Sequence, residues 1–353
     1  MSISIKVDYV ARLPNINEPR ILCNPTVILE GESDDTYRVL FIDVDNNSLI
    51  YQADTKSNTT LKGLRQWYTK WMIQVYNLKD YTLIYTNEFN LNGQTVFIKI
   101  DAFALGDNLA WMPYIEEFRK KHYCNVICST FFNSLFEGAY KNIMFVAPNT
   151  RIANVYAQYY IGALRADDMM YAPVVSTKVP LQKVATEILG LEYKEIKPLI
   201  GIPTKPPIIE GKYVCISEHA SSIDKEWKLE GGWQSVVNHL NDNGYKVVVI
   251  SKESTSLQNV INKTGDIPLE DRIRDIEGAS LFIGVSSGLS WLSWALGTHV
   301  ILISDVTPSW HEFTSNVTRL IHTEKEMVDY SPTTPTSLND VLLSINNHLK
   351  IQH

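Results

Sequence analysis

Three absences limit the class of protein that this sequence encodes. Only four of its 353 residues are cysteines, and no two of them form a Cys-x-x-Cys pair, so neither a zinc site nor a disulfide framework is indicated. No apolar run approaches the roughly 18 residues that span a bilayer, and the opening segment MSISIKVDYVARLP lacks the apolar core of a signal peptide. We therefore expect a cytoplasmic protein with reduced cysteines and no membrane partner.

The sequence also lacks net positive charge, since its formal charge is -7. Proteins that coat nucleic acid need clustered Lys and Arg to neutralise phosphates, so this balance argues against such a role. One local exception is a basic, aromatic island between residues 55 and 79, which has no acidic residue and contains Lys56, Lys62, Arg65, Lys70 and Lys79. From this region we predict acceptor contacts at Lys62, Arg65 and Lys70, with Trp111 as a further candidate.

Residues 1–95 are predicted to form a β-rich N-terminal module. The run VLFIDVD, the pair Asn46-Asn47 and the run SLIYQ have the pattern of a β-hairpin. Asp43 and Asp45 are interpreted as part of its turn rather than as a metal-binding Asp-x-Asp pair. A second hairpin is predicted from YTLIYTNEF and NGQTVFIKI.

The rest of the chain alternates apolar runs with helical segments, as expected for parallel sheets covered on both faces. The segment LIGIPTKPPIIEGK at 199–212, with three prolines and two glycines, divides two such series. We predict one Rossmann-like domain over 96–205 and a second over 206–353. In open α/β sheets ligands bind beyond the carboxyl ends of the strands, so the loops that follow the strands are the first candidates for a site.

Three of these loops carry candidate residues. In IGVSSGLSW, the residues Ser286, Ser287 and Gly288 open a helix, and small side chains there suit a phosphate and a serine helix cap equally. The long loop SEHASSIDKEWKLEGGW contains Lys225, which is either a cation for a departing diphosphate or a solvated surface lysine. Asp107, at the start of the helix that follows ALGD, is either a helix N-cap or a catalytic base.

Taken together, these stretches resemble the autotransporter heptosyltransferases of glycosyltransferase family 9. The similar segments include FIDVDNNSLIY, ALGDNLAWMPYIEEFRKK, PLQKVATEILGLEYKEIKP, KYVCISEHASSIDKEWKLEGGWQSVV, GVSSGLSWLSWALGTHVILIS and SWHEF. The resemblance implies a GT-B fold, with two Rossmann-like, doubly wound domains behind a β-rich N-terminal module. It also implies an inverting transferase that needs no metal or other cofactor and uses an ADP- or UDP-linked sugar.

The same resemblance assigns roles to particular residues. Asp107 would be the catalytic base, and Lys225 would bind the donor phosphates. The donor site would also include a larger set, consisting of Ser221, Ser222, Ser286, Ser287, Gly288, Leu289, Trp310 and Glu312. Family members carry an iron-binding cysteine cluster after the SWHEF-like segment, whereas RLIHTEKEMVDYSPTTPTS contains no cysteine. We therefore expect the iron finger to be missing, which leaves the family's oligomer and its protein acceptor open.

Three functions follow from the sequence. The first is transfer of a heptose-like sugar or a pentose to a primary hydroxyl, by resemblance a serine of a partner protein. The second is a phage-type DNA glycosyltransferase acting on hydroxymethylcytosine, for example by arabinosyl transfer from UDP-arabinose, for which the basic island would hold the duplex. The third is a module that binds a nucleotide sugar without catalysis, because a fold does not determine a function.

Overall fold

The N-terminal part of the chain is antiparallel. The computed structural model describes residues 3–9, 25–63, 65–150, 152–162, 173–174, 178–202, 206, 208–321 and 335–351. One sheet has the order β1-β2-β5, formed by Ile3–Asp8, Thr26–Gly31 and Thr59–Lys62. A second has the order β4-β3-β6-β7, formed by Ser48–Thr55, Tyr37–Asp43, Trp71–Asn77 and Thr82–Glu88. All their pairings are antiparallel.

The structure confirms the first predicted hairpin and corrects the second. β3 and β4 pair around residues 44–47, and the buried Asp43 carboxylate accepts hydrogen bonds from Asn46 and Arg65, so it serves the turn. The second prediction is wrong, because β7 pairs with β6, and the segment that was predicted as its partner instead begins a parallel sheet. In that segment, apolar and polar residues do not alternate regularly, and both faces of the strand are buried, which is typical of a parallel strand.

This first parallel sheet has the order β10-β9-β8-β11. Its strands are β8 (Thr95–Ile100), β9 (Asn125–Ser129), β10 (Ile143–Phe145) and β11 (Ala157–Ile161), and the helices of this region are α1 (Leu105–His122), α2 (Asn133–Phe136) and α3 (Leu181–Leu189). The chain adds β9 and β10 on one side of β8 and then places β11 on the other side, so its direction of winding reverses at β8. This reversal is the topological switch point, where α/β sheets bind ligands.

The second parallel sheet has six strands in the order β14-β13-β12-β15-β16-β17. Its strands are β12 (Tyr213–Ser217), β13 (Lys246–Ser251), β14 (Ile261–Thr264), β15 (Leu281–Val285), β16 (Val300–Ser304) and β17 (Val317–Ile321), and its helices are α4 (Gly232–Asp242), α5 (Leu269–Glu277), α6 (Gly288–Leu296) and α7 (Leu338–Leu349). This is the Rossmann strand order, so the predicted α/β class and doubly wound arrangement are confirmed. β14 and β17 were not predicted.

Helices α1 and α6 join the two parallel sheets through a close contact between their N-terminal ends. A Cβ atom at Gly288 would lie 2.9 Å from Leu105 Cβ, and one at Gly106 would lie 3.1 Å from a ring carbon of Trp291. Glycine at both positions therefore allows the two helices to approach. Because each helix follows a strand at its own sheet's switch point, the contact brings the two predicted binding edges together.

No helix among the described residues is long and apolar enough to cross a membrane.

Candidate active site

Asp107 is the third residue of α1 and does not cap the helix. The N-cap position belongs to Ala104, which makes no side-chain hydrogen bond, so the capping interpretation of Asp107 is wrong. The carboxylate is half-buried, and burial raises its pKa from 3.8 to about 6, although the nearby Lys225 ammonium acts in the opposite direction. A carboxylate with a pKa just below neutrality is ionised at pH 7 and still basic enough to take a proton.

Lys225 ends a short 3-10 helix, Ile223–Lys225, in the loop between β12 and α4. Trp227 anchors this loop: its ring is buried, and its indole N–H donates a 2.8 Å hydrogen bond to the carbonyl of Thr336. The ring lies so close to Gly232 that a Cβ atom there would be 2.8 Å from it. Lys225 is therefore carried by a fixed loop, and among the described residues its ammonium forms no ion pair within 4 Å. Its electrostatic neighbours are Asp107 and His311.

The serines at the start of α6 do not cap that helix. Ser286 donates its hydroxyl hydrogen bond to the Glu312 carboxylate, and Ser287 occupies the N-cap position without a side-chain cap hydrogen bond. The hydroxyl of Ser287 is buried and has no hydrogen-bond partner in the described part of the chain. The first N–H groups of α6 are thus left for another acceptor, which favours an anion site over the capping interpretation.

Glu312 lies beneath this site and supports it. Glu312 is almost fully buried, and it pairs at 2.6 Å with Arg319 of β17. The side chain of Arg319 is itself only 8% exposed. Burial acts against the charged form of Glu312, but neighbouring positive charge and hydrogen bonds from Arg319 and Ser286 outweigh it, so the pKa of Glu312 lies below its usual value. Glu312 therefore holds Ser286 and stabilises the start of α6 from beneath.

From the buried Glu312–Arg319 pair we expect two arginine variants to differ strongly in their free energy of unfolding. Arg319→Leu leaves a buried carboxylate without its partner, and we expect it to lower the free energy of unfolding by about 3 to 5 kcal/mol in urea denaturation. Arg38→Leu is the control, because Arg38 pairs with Asp54 at 2.7 Å but both side chains are exposed, and such pairs contribute about 0 to 1 kcal/mol. Equal losses in the two variants would contradict this account of the Glu312 site.

Residues from the first α/β region hold the loop that carries Glu312. The N–H of Leu181, at the start of α3, donates a 2.9 Å hydrogen bond to the carbonyl of His311. The Glu195 carboxylate accepts hydrogen bonds from the backbone and hydroxyl groups of both Thr314 and Ser315, at 2.5 to 3.1 Å. These contacts fasten the loop between β16 and β17 to the first α/β region on both sides of Glu312.

The remaining predicted donor residues lie around this centre with different environments. Ser221 is exposed, whereas Ser222 accepts a hydrogen bond from the N–H of Asp224 and caps the short helix that bears Lys225. Leu289 and Trp310 are half-buried, and Leu289 packs against the hydrophobic core. None of these four side chains carries a carboxylate or an ammonium, so none replaces Asp107 as a base or Lys225 as a cation.

The predicted acceptor contacts are not brought together at the site. Trp111 is fully buried and its indole N–H donates a 2.7 Å hydrogen bond to the carbonyl of Leu181, so it belongs to the core and not to an accessible surface. In the basic island, Arg65 pairs with Asp43 at 2.7 Å and Lys70 with Glu88 at 2.9 Å. Lys62 is exposed at the end of β5.

Two residues of the site were missed by sequence reasoning. Arg319 lies on β17, a strand that was not predicted. His311 is buried, and burial lowers its pKa; its Nδ1 has no hydrogen-bond partner among the described residues. The only sequence signal for His311 is the SWHEF segment, which drew attention to Trp310 and Glu312 through resemblance alone, and Arg319 lies outside that segment.

Two parallel sheets meet at their switch points, where one supplies a carboxylate and the other an ammonium and an uncapped helix N-terminus. Two Rossmann-like α/β regions that meet in this way are characteristic of the GT-B fold, a fold of glycosyltransferases. Residues 172–321 match the model of glycosyltransferase family 9 (heptosyltransferase). The chain is 30% identical over 289 residues to the autotransporter heptosyltransferase BAHTCr of Citrobacter rodentium. This alignment covers 78% of this chain and 70% of that protein. The chain belongs to glycosyltransferase family 9, and it is a glycosyltransferase.

Two further comparisons define its relatives. The crystal structure of dodecameric iron-containing heptosyltransferase TibC in complex with ADP-D-beta-D-heptose superposes with a TM-score of 0.83 and 25% identity, covering 98% of this chain and 96% of that one. A protein from Burkholderia thailandensis, named inactive autotransporter heptosyltransferase BimC, is 31% identical over 242 residues, which are 65% of this chain and 57% of that protein. These relatives give no support to the DNA alternative.

The expected loss of the iron finger concerns residues 319–337, of which 322–334 lie outside the described residues. The chain has no cysteine after Cys215, so the segment that follows Trp310 offers no thiolate for iron. Cys124, Cys128 and Cys215 are buried, and burial raises the pKa of Cys215 well above its usual value, which keeps it a thiol.

Proposed function

We propose that this chain transfers a sugar, with inversion, from a nucleotide diphosphate to a primary hydroxyl. The observation that carries the proposal is the placement of Asp107, a half-buried carboxylate with a pKa of about 6, beside Lys225 at the junction of the two sheets. The base comes from one α/β region and the diphosphate-binding groups come from the other. A donor and an acceptor bound between them would meet at this pair.

In the proposed reaction, Asp107 removes the proton of the acceptor hydroxyl as its oxygen attacks the anomeric carbon. The bond between that carbon and the phosphate oxygen breaks, and its electron pair leaves with the nucleotide diphosphate. Lys225 and the free N–H groups at the start of α6 stabilise the charge on the diphosphate. A single displacement from the face opposite the leaving group inverts the anomeric centre, and the proton on Asp107 is then released to solvent.

The donor proposed is an ADP-linked heptose and the acceptor a serine of a partner protein. The donor follows from the ligand of the TibC structure, and the acceptor from the autotransporter heptosyltransferases to which the chain is similar. The pairing of Arg65 and Lys70 with carboxylates also supports a protein acceptor over DNA, because these cations are engaged within the chain. The reaction proposed contains no metal step, since Lys225 and α6 provide the charge that a metal ion would.

A thermal-shift panel of ADP-heptose, UDP-pentoses and UDP-hexoses tests the donor. A ligand at about a hundredfold its dissociation constant adds roughly 2.7 kcal/mol to the free energy of unfolding, so we expect ADP-heptose to raise the Tm. Lys225→Ala should reduce that rise, whereas the control Lys228→Ala should not, because Lys228 is exposed and pairs with Asp224 at 3.6 Å. If no donor raises the Tm, the proposal fails. Donor binding without any turnover, on every acceptor tried, would instead indicate a non-catalytic module, comparable with the relative named inactive.

A further inference from the structure

Two stacked phenylalanines, the exposed Phe103 and the half-buried Phe131, lie at the same edge of the first parallel sheet as the proposed catalytic base. Phe103 is 80% exposed, and its ring stacks on that of Phe131 with centroids 4.1 Å apart and planes inclined by 28°. An aromatic ring that is left so largely in water contributes little to folding. Because this exposed ring stacks on a second ring, the two form an apolar surface on which another apolar side chain can pack.

The position of the pair ties it to the acceptor side of the site. Phe103 lies between β8 and α1, four residues before Asp107, and Phe131 follows β9, the neighbour of β8 in the sheet. Both therefore lie at the carboxyl edge of the sheet from which the base projects. In the second α/β region, Ile223, two residues before Lys225, is also 69% exposed. Exposed apolar side chains thus lie close in sequence to both Asp107 and Lys225.

We propose that Phe103 and Phe131 form an acceptor platform, which holds an apolar side chain next to the acceptor serine of a polypeptide. This inference rests on the proposed function, in which the serine hydroxyl reaches Asp107. Because an extended chain spans at most about 3.3 to 3.6 Å per residue, Phe103 lies within roughly 14 Å of Asp107. The side chain that contacts the platform is therefore within about four residues of the serine.

The charges around the platform favour a polypeptide over a nucleic acid. Single-stranded nucleic acid also stacks on aromatic rings, but it needs cations that follow its phosphates. Lys99, on the strand that leads to Phe103, pairs with Asp101 at 2.8 Å, and Asp101 also accepts a hydrogen bond from Tyr160. Lys99 is thus already paired with a carboxylate, whereas an apolar peptide side chain needs no countercharge.

Fluorescence anisotropy with short fluorescein-labelled peptides tests the platform. One peptide carries a single serine with phenylalanine or leucine within four residues, and a matched peptide carries glycine there. We expect Phe103→Ala to weaken binding of the apolar peptide about tenfold, as befits the loss of one aromatic contact, and to leave the glycine peptide unchanged. Phe103→Tyr, which keeps the ring, should restore most of the affinity.

Tyr123→Asn is the matched control. Tyr123 is a 78% exposed aromatic residue at the opposite end of α1, about 27 Å away along the 18-residue helix, and its φ of 51° is a conformation that asparagine tolerates. This variant should bind both peptides as the unaltered protein does. Neither variant should change the Tm rise with ADP-heptose or the rate of donor hydrolysis, because neither residue touches the donor groups.

Equal affinity of Phe103→Ala and the unaltered protein for the apolar peptide would overturn the inference. So would Phe103-dependent binding of an oligonucleotide containing hydroxymethylcytosine in place of peptide binding, because the platform would then hold a base. Failure of the proposed function has a different signature: the unaltered protein would bind no donor, or would bind a donor without any turnover, whatever the peptides do. Anisotropy measures peptide binding without turnover, so the two failures are distinguished.

Discussion

Asp107→Asn should lower the rate of sugar transfer by about a hundredfold to ten-thousandfold, the range that a positioned general base contributes. The amide keeps the size of the side chain but cannot accept the proton of the acceptor hydroxyl. Donor binding, measured by the Tm rise with ADP-heptose, should be retained because the diphosphate contacts come from Lys225 and α6. Glu117→Gln, which removes a different carboxylate from α1, is the control and should transfer at the normal rate.

The pKa of Asp107 gives this variant a second signature. A carboxyl whose pKa rises from 3.8 unfolded to about 6 folded binds more protons in the folded state, so its effect on stability becomes less favourable as the pH rises from about 4 to 6. At pH 7 the charged carboxylate is therefore destabilising. We expect Asp107→Asn to raise the free energy of unfolding at pH 7, by up to about 3 kcal/mol, and to have little effect on stability below pH 4. In the unaltered enzyme, kcat should increase with pH through about 6.

An unchanged transfer rate in Asp107→Asn would remove Asp107 from the mechanism. A loss of activity accompanied by a lower free energy of unfolding at pH 7 would also contradict the assignment, because it would show that the carboxylate stabilises the fold. The assignment of Asp107 as a partly buried base, whose charge lowers the stability of the fold, requires three results together. Asp107→Asn must lose transfer, keep donor binding and unfold with a higher free energy at pH 7.

Lys225→Ala should lower the transfer rate by about a hundredfold to a thousandfold, which is the effect of removing one preorganised group from a developing charge. Two effects combine here. The variant loses the ammonium that faces the diphosphate, and Asp107 loses the neighbour that lowers its pKa. The acidic limb of the pH–rate profile should therefore move to higher pH, because the carboxylate of Asp107 would ionise less readily.

Lys228→Ala is the matched control, since it removes an ammonium three residues further along the same loop, where 58% of the Lys228 side chain is exposed. It should leave both the rate and the pH profile unchanged. If Lys225→Ala lowers the rate without moving the acidic limb, Lys225 does not act on Asp107. If it changes neither quantity, Lys225 is the solvated surface lysine that the sequence left as its alternative.

Some features of the site could be predicted because they are local. The ALGD segment follows a buried strand and begins a helix, so Asp107 was expected at the carboxyl edge of a sheet, where the structure places it. The run IGV followed by Ser286, Ser287 and Gly288 likewise indicated a strand followed by a helix. In both cases, two neighbouring elements with clear patterns determine where the loop between them lies.

Other features had no local signal. Trp111 was predicted as an acceptor contact, yet α1 packs against α3 and α6 as well as its own sheet, so the first half of the helix is buried on most sides. Without one polar face, the helical period does not show which aromatic residue is accessible. β17 was missed because VTRLI is short and Arg319 interrupts its apolar residues, and nothing in the local sequence shows that Glu312 is the partner of Arg319.

The sequence by itself determined the alternation of strands and helices in most of the second α/β region, the existence of two α/β series and the family, because periodic patterns and continuous motifs survive without knowledge of long-range contacts. Tertiary structure alone decided that Asp107 lies beside Lys225, more than a hundred residues away, and that burial raises its pKa to about 6. It also decided that Ser286 binds Glu312 and does not cap its helix. Burial and proximity between distant segments arise only when the sheets pack together, and they have no signature in the residues on either side.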